Sequence, residues 1–248
     1  MKATIPFSAI LTVCGVLTAG EFTPLALPTL TDDIRTWTDG AAYDPLYPSS
    51  SQTFAGVPFE FQSDAARNTI FYGGSLGNPV DAALVIPVNL YGVTTAYTLI
   101  NTAYGVMGSI VGSVTFEGSG GISHTVQLVE GANVRDHYHG AYVNTTTDPT
   151  TIEAVFGDPS PGNAHFDMQT FTLPAAFQTA TLEDITFTSL GIGSPDGKAF
   201  IAGATVETSA TVPDGGSTSA LLALAVVGLL TSVRRLRTCQ QSCTMTGF

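Results

Sequence analysis

Between residues 54 and 208 the chain repeats one local pattern, a short run rich in Val, Ile, Thr, Phe and Tyr followed by a cluster of turn formers. Such runs lie at 54–61, 69–72, 84–91, 95–100, 110–117, 123–129, 138–143, 151–156, 166–173, 182–190 and 199–207. Gly73-Gly74, Gly118-Ser119-Gly120-Gly121, Asp158-Pro159-Ser160-Pro161-Gly162 and Ser194-Pro195-Asp196-Gly197 separate several of them. β-branched and aromatic side chains fit a pleated, half-buried surface, whereas Gly, Pro, Asn and Asp supply the backbone angles of turns. At Val126 and Leu128, and at Phe166 and Met168, every second residue is apolar and would face a core. No segment sustains a helical period. About eleven short strands at this spacing predict an all-β fold, a single β-sandwich or jelly roll. No internal repeat is visible, which argues against a propeller or a β-helix.

Such a fold must stand here on packing alone. The three cysteines are Cys14, Cys239 and Cys243, so the body of the chain has none and disulfides cannot staple it. Cys239 and Cys243 are a single pair four apart, too few ligands for a zinc site. The same body is strongly acidic. All 20 carboxylates fall between Glu21 and Asp214, against only Arg35, Arg67, Arg135 and Lys198, a net charge near −16. No phosphate backbone is attracted to such a surface, which excludes nucleic acid as a partner. Solvation explains the charge, and calcium binding or repulsion from an anionic polymer is the sharper alternative.

The two ends of the chain state a destination. Lys2, an apolar stretch at 5–17 and the small residues Thr18-Ala19-Gly20 have the order of a secretory signal peptide cut before Glu21. Val13 stands where a lipobox takes Gly or Ala, so Cys14 is not read as lipidated. At the other end, Val212-Pro213-Asp214-Gly215-Gly216-Ser217-Thr218 precedes an apolar run at 220–230 and then Arg234, Arg235 and Arg237. Arginines after an apolar run are retained on the cytoplasmic side, which leaves the rest of the chain outside. The stretch 219–233 would reach about 22 Å as a helix, and one starting at Gly215 about 28 Å, against a hydrocarbon core of roughly 30 Å. A span that marginal suits a temporary transmembrane anchor.

The domain reading is a signal helix at 1–20, a loop-rich lead-in at 21–53 and a β-sandwich at 54–208. A linker with the sorting motif at 209–219, a transmembrane helix at 220–233 and a basic cytoplasmic tail at 234–248 complete it. The tripartite C-terminus, Val212 to Gly216, then Leu/Ala/Val, then Arg234, Arg235 and Arg237, resembles the PEP-CTERM sorting signals of Gram-negative bacteria in their VPDSG-like variant. The resemblance covers residues 211–237 and implies recognition by an exosortase, a membrane-embedded cysteine protease-transpeptidase, with a fate tied to extracellular polysaccharide. It gives Val212, Pro213, Asp214, Gly215 and Gly216 a substrate role. The chain departs from the pattern by continuing from Thr238 to Phe248.

A looser resemblance concerns the sandwich. Phe54-Ala55-Gly56-Val57-Pro58-Phe59, Asn68-Thr69-Ile70, Ile86-Pro87-Val88, Tyr97-Thr98-Leu99-Ile100-Asn101-Thr102-Ala103-Tyr104, Asn133-Val134-Arg135-Asp136-His137-Tyr138 and Phe200-Ile201-Ala202-Gly203-Ala204-Thr205 occur in an order similar to galactose-binding-like modules of bacterial glycan-active proteins. It implies a jelly roll with binding or structural duties, whose ligand is held by variable loops.

Candidate chemistry is sparse. His137 and His139 would share one face of a strand, the spacing for two imidazoles on one metal, but an ordinary loop-edge pair is the plainer reading. His124 and His165 stand alone. Asp32, Asp33, Asp39 and Asp44 could offer calcium oxygens or simply form a hydrated loop. No Gly-x-Ser-x-Gly elbow occurs, and without an exported cysteine there is no thiol nucleophile. Trp37, Tyr43 and Tyr47 could stack on pyranose rings as glycan-binding residues, or cap the open end of the sandwich. The expectation is an exported, membrane-anchored surface or matrix protein, not an enzyme and without a cofactor. A carbohydrate-binding module is the alternative and a secreted glycoside hydrolase the third.

Overall fold

The computed structural model describes residues 20–37, 43, 51–75, 78–79, 81–140, 142–158, 160, 162–190, 192–193 and 196–209. They form one unit from Gly20 to Ser209. Most of the predicted signal peptide, Tyr47, Asp39, Asp44, the sorting motif, the predicted anchor at 220–233 and the arginine tail lie outside the described residues. Among the described residues no helix is long and apolar enough to cross a membrane.

The described strands are β1 (Glu21–Leu25), β2 (Gln52–Phe54), β3 (Val57–Phe59), β4 (Gly74–Ser75), β5 (Asn78–Pro79), β6 (Ala82–Tyr91) and β7 (Val93–Ala103). They continue with β8 (Ile110–Gly118), β9 (Ile122–Val129), β10 (Thr151–Gly157), β11 (His165–Thr172), β12 (Thr181–Ser189), β13 (Ile192–Gly193) and β14 (Asp196–Thr208). The expected all-β class holds, and among the described residues helical structure is limited to short 3-10 turns such as Ala175–Thr179. A six-stranded antiparallel sheet runs β1-β14-β7-β11-β10 with β13 beside β14, and a four-stranded antiparallel sheet runs β6-β12-β8-β9.

The two sheets enclose an aliphatic core. In β6, Leu84 and Ile86 are buried while Val85 and Pro87 are exposed, the alternation of a strand with one face in water. Val114 and Phe116 of β8, Leu182, Ile185 and Phe187 of β12, and Ile100, Ile201, Ala204 and Val206 of the opposite sheet complete the cluster. Each such fully buried side chain contributes about 1.5–3 kcal/mol relative to exposure. β7 and β14 are buried almost continuously along their inner halves, because the six-stranded sheet has a second covered face. There Leu99, Phe166, Met168 and Phe200 pack under Ile34, Trp37, Tyr43, Phe59, Phe61, Ile70 and Tyr72.

Three expected strands take other forms. The run at 69–72 makes only isolated bridges, Ile70 to Asp32 and Phe71 to Ile201. The run at 54–61 is a hairpin: Ala55 and Gly56 both have positive φ, 48° and 87°, so the chain reverses between β2 and β3. Among its described residues the run at 138–143 forms no strand, only a single bridge from Tyr138 to Ala164. Its backbone bonds to loops and side chains: the His139 N–H donates to the Asn163 carbonyl at 2.9 Å, the Asp136 Oδ1 accepts the Tyr138 N–H at 2.7 Å, and Asn144 Nδ2 donates to the Gly140 carbonyl at 2.9 Å. The lead-in at 21–53 is not all loop, since β1 adds to the main sheet with Glu21 opposite Thr208.

The sheet edges carry their own protection. Pro24 lies in β1 and Pro87 in β6, both edge strands, where a missing N–H removes a template for further pairing. The β10 edge is broken by a register shift between Ile152 and Phe156, where Ala154 adopts φ 54°.

Candidate functional site

Two places in the unit gather polar chemistry. The first is a buried ionisable cluster where β7 and β11 meet the segment 130–138. Arg135 forks onto Asp167 with Nε at 2.7 Å from Oδ2 and Nη2 at 2.9 Å from Oδ1. Asp167 also accepts the Asn101 Nδ2 at 2.8 Å and the Ala154 N–H at 2.6 Å. Arg135 donates through Nη1 to the Asn144 carbonyl and lies 3.2 Å from Glu153 Oε2. A guanidinium taken out of water needs this bidentate partner and the additional acceptors, because the desolvation cost is otherwise uncompensated.

Beside the ion pair sit groups held in their neutral forms or pushed toward them. Burial drives the Glu130 carboxyl up to about 8, against the pull of a hydrogen bond from the Thr102 hydroxyl at 3.0 Å. Its Oε2 has no hydrogen-bond partner among the described residues. Burial also raises Asp136 to about 6, opposed by His137 and by the Tyr138 and Gly105 N–H groups it accepts. His165 is pushed down to about 4 by burial, with Asp167 opposing and Arg135 adding to the fall. Neither of its ring nitrogens has a hydrogen-bond partner among the described residues. His165, Asp167 and His137 are fully buried, and Glu130, Asp136 and Arg135 nearly so. The arrangement can hold the loops 104–109 and 130–147 against β7, and it offers no reacting group to a substrate in solvent.

The second place is a groove at the open side of the sandwich, between β9 of one sheet and β11 of the other. It encloses about 180 Å³ and is lined by His124, Val126, Asp148, Gln169, Phe171, Thr172 and their neighbours. Some of its polar groups are already engaged. Asn133 accepts the Val129 N–H and donates to the Gln127 carbonyl, and Gln169 bridges Thr98 and both backbone groups of Ile100.

The residues singled out by sequence fall elsewhere. Trp37 and Tyr43 are 5% and 0% exposed, inside the aromatic layer over the six-stranded sheet. Trp37 makes edge contacts with Tyr72, His137 and Phe200, and Tyr43 stacks on Phe166 at 4.6 Å between centroids. With both rings covered, neither presents a face on which a sugar could pack, and they close the outer face of a sheet, not an end of the sandwich. His137 and His139 do not share a strand face: they lie in the irregular segment after Asp136, with His137 wedged between Trp37 and Phe200. Tyr43 Oη lies 3.4 Å from His137 Nδ1. Among the described residues no three His, Cys, Asp or Glu side chains gather closely enough to hold a metal ion. Asp33 caps the 3-10 turn Ile34–Thr36 and pairs with Arg35 at 2.6 Å, while Asp32 is raised by burial.

Sequence reasoning missed Arg135 with Asp167, and it passed over the groove that His124 and Asp148 both line. The first had one available signal: Arg135 is one of only four bases in an acidic body, so a carboxylate partner was to be sought. No protein-family model matches the chain, and no curated protein matches it.

Proposed function

We propose that this chain is an exported, membrane-anchored surface or extracellular-matrix protein whose β-sandwich, of jelly-roll and galactose-binding-like type, is non-catalytic, and that an exosortase processes it at Val212 to Gly216. The observation that carries this reading is the register of β1 on β14. Glu21 lies opposite Thr208, so the residue that follows the signal peptide and the residue that leads to the sorting motif leave the unit side by side. A module whose two exits share one end can be cut at one, held at the other and still present its opposite loops. The second support is chemical: the ionisable groups most perturbed from their ordinary behaviour, Glu130, Asp136 and His165, are sealed in the interior. An active site needs such groups where a substrate can touch them.

Intact mass of the mature protein, from cells with and without an exosortase, tests the proposal. The expected result is loss of everything after the Val212–Gly216 motif only when the enzyme is present. A tail that persists in both would make the chain a permanent single-span protein, and a full-length chain free in the cytosol would sink the reading. Carbohydrate binding is the second reading, favoured by the groove between β9 and β11 with its mixed polar and apolar lining.

A further inference from the structure

The groove between β9 and β11 has a floor and a set of unengaged polar groups. Val126 and Phe171 make the floor, one from each sheet. Around it, Asp148 uses only Oδ1, which accepts the Thr150 N–H and hydroxyl, both at 2.8 Å, and leaves Oδ2 without a partner among the described residues. The His124 ring lies against Phe116 at 6.2 Å between centroids, and its nitrogens take no hydrogen bond from the described residues.

The third group is backbone. Thr170 donates its N–H to the Thr150 carbonyl at 3.1 Å, outward from the sheet toward β10. Along an antiparallel strand the outward direction recurs every second residue, so the Thr172 N–H and carbonyl point the same way. The pairing of β10 with β11 ends at Thr151 opposite Gln169, so among the described residues no strand covers Thr172 on that side. An open edge N–H, an imidazole and a carboxylate oxygen therefore converge on one apolar floor.

We propose that this groove binds one neutral pyranose unit of an extracellular polysaccharide. The assignment rests on the carbohydrate-binding reading given above and names its site. A pyranose ring carries an apolar face for Val126 and Phe171, and hydroxyls that both donate and accept. Adjacent hydroxyls donate to Asp148 Oδ2, and His124 and the Thr172 N–H supply the complementary partners. At about 180 Å³ the groove is smaller than the roughly 300–1,000 Å³ of drug-sized pockets, which limits the occupant to about one ring. The Asp148 carboxylate, within a body that carries twenty acids between Glu21 and Asp214, repels uronate rings and selects neutral ones.

The test is isothermal titration of the full-length chain in a zwitterionic detergent that carries no sugar headgroup. The probes are methyl β-D-galactopyranoside, methyl β-D-glucopyranoside and D-glucuronate. A shallow single-ring site should bind one neutral glycoside with a Kd on the order of 1 mM and should not bind the uronate. Asp148→Asn keeps the Oδ1 acceptor for Thr150 and so keeps the loop, yet should weaken binding about tenfold, as should His124→Gln. Thr125→Ala, on the opposite face of β9, should bind as the native chain does. If a neutral glycoside binds but Asp148→Asn and His124→Gln leave its Kd unchanged, the groove is the wrong place while carbohydrate binding stands. If no neutral glycoside binds at millimolar concentration to a chain whose circular dichroism is native, the groove and the carbohydrate reading fall together. Tighter binding of glucuronate than of either glycoside overturns the charge argument and with it the proposed ligand.

Discussion

Between the sheets, Leu84, Ile86, Val114, Leu182 and Phe187 pack against the six-stranded sheet; where β7 and β11 meet the segment 130–138, charges take over around the Arg135–Asp167 pair. The first region is built by a period of two and is mostly apolar. The second is built by side chains from distant loops, and its polar atoms must find each other. The difference teaches that the aliphatic side can adjust to change by small shifts of packing, whereas the polar side fails in steps, because removal of one partner strands another in a medium that does not solvate it.

The largest expected effect follows from that contrast. Asp167→Ala leaves the Arg135 guanidinium buried and frees Asn101 and the Ala154 N–H at once, so it should cost about 4–5 kcal/mol of unfolding free energy. Phe187→Ala, at a fully buried position between the sheets, should cost about 3–4 kcal/mol. Pairing Asp167→Ala with Arg135→Met should recover part of the loss, because both charges are then gone. Urea denaturation of the full chain reads all three variants. A larger loss at Phe187 than at Asp167, or no recovery in the double variant, breaks the comparison.

The pH dependence sharpens it. Glu130 is raised from an unfolded value near 4.5 to about 8 in the fold, chiefly by burial. A carboxyl so raised binds its proton more tightly when folded, so its contribution is fully present below about pH 4.5 and is lost as pH rises toward about 8. His165 works in the other direction. Its folded value near 4 lies below the unfolded 6.5, so stability is lost as pH falls from about 6.5 to about 4. Glu130→Gln should therefore stabilise the chain at pH 8 by about 2–3 kcal/mol and flatten the alkaline limb only. An unchanged alkaline limb in that variant would show that Glu130 is solvated and that the polar side is less dry than its burial implies.

The same contrast explains how much of the molecule was legible in the sequence. β6, β8, β9, β11 and β12 were readable because an alternating strand reports its own burial, as Val126 and Leu128 do. β1 was hidden, since Glu21-Phe22-Thr23-Pro24-Leu25 contains a proline and becomes a strand only beside β14, far along the chain. Trp37 and Tyr43, left open between sugar stacking and a cap on the sandwich, are buried, and a polar local sequence says nothing about which distant face a loop will cover. Within the groove, His124 and Asp148 lie 24 positions apart on elements that only the stacking of two sheets brings together. A local pattern fixes the side of a strand, not its neighbour.

Gly105 gives a smaller test of the polar side. A Cβ there would lie 1.9 Å from Glu130 Oε1, and the Gly105 N–H already donates to Asp136 at 3.3 Å. Gly105→Ala should cost about 1–3 kcal/mol by overpacking. The paired change Gly105→Ala with Glu130→Ala should cost less than the sum of the two, since the clash is removed. Additivity in urea denaturation would mean that the loop shifts freely and that the carboxylate does not fix it.

The smallest expected effect has the opposite sign. Ala154 stands at φ 54° within the bulge of β10, a conformation that costs an L-residue roughly 1–2 kcal/mol, while its N–H is held by Asp167 Oδ1 at 2.6 Å. Glycine adopts that angle without strain but loses about 0.5–1 kcal/mol more backbone entropy on folding, so Ala154→Gly should stabilise by about 0.5 kcal/mol. With Asp167→Ala in the background, nothing holds the Ala154 amide, the alanine can relax, and the glycine should give no gain or a small loss. A double-mutant cycle in urea separates the outcomes. Equal gains in both backgrounds would place the strain in the register shift between Ile152 and Phe156, and the buried carboxylate would then act on Arg135 without bending β10.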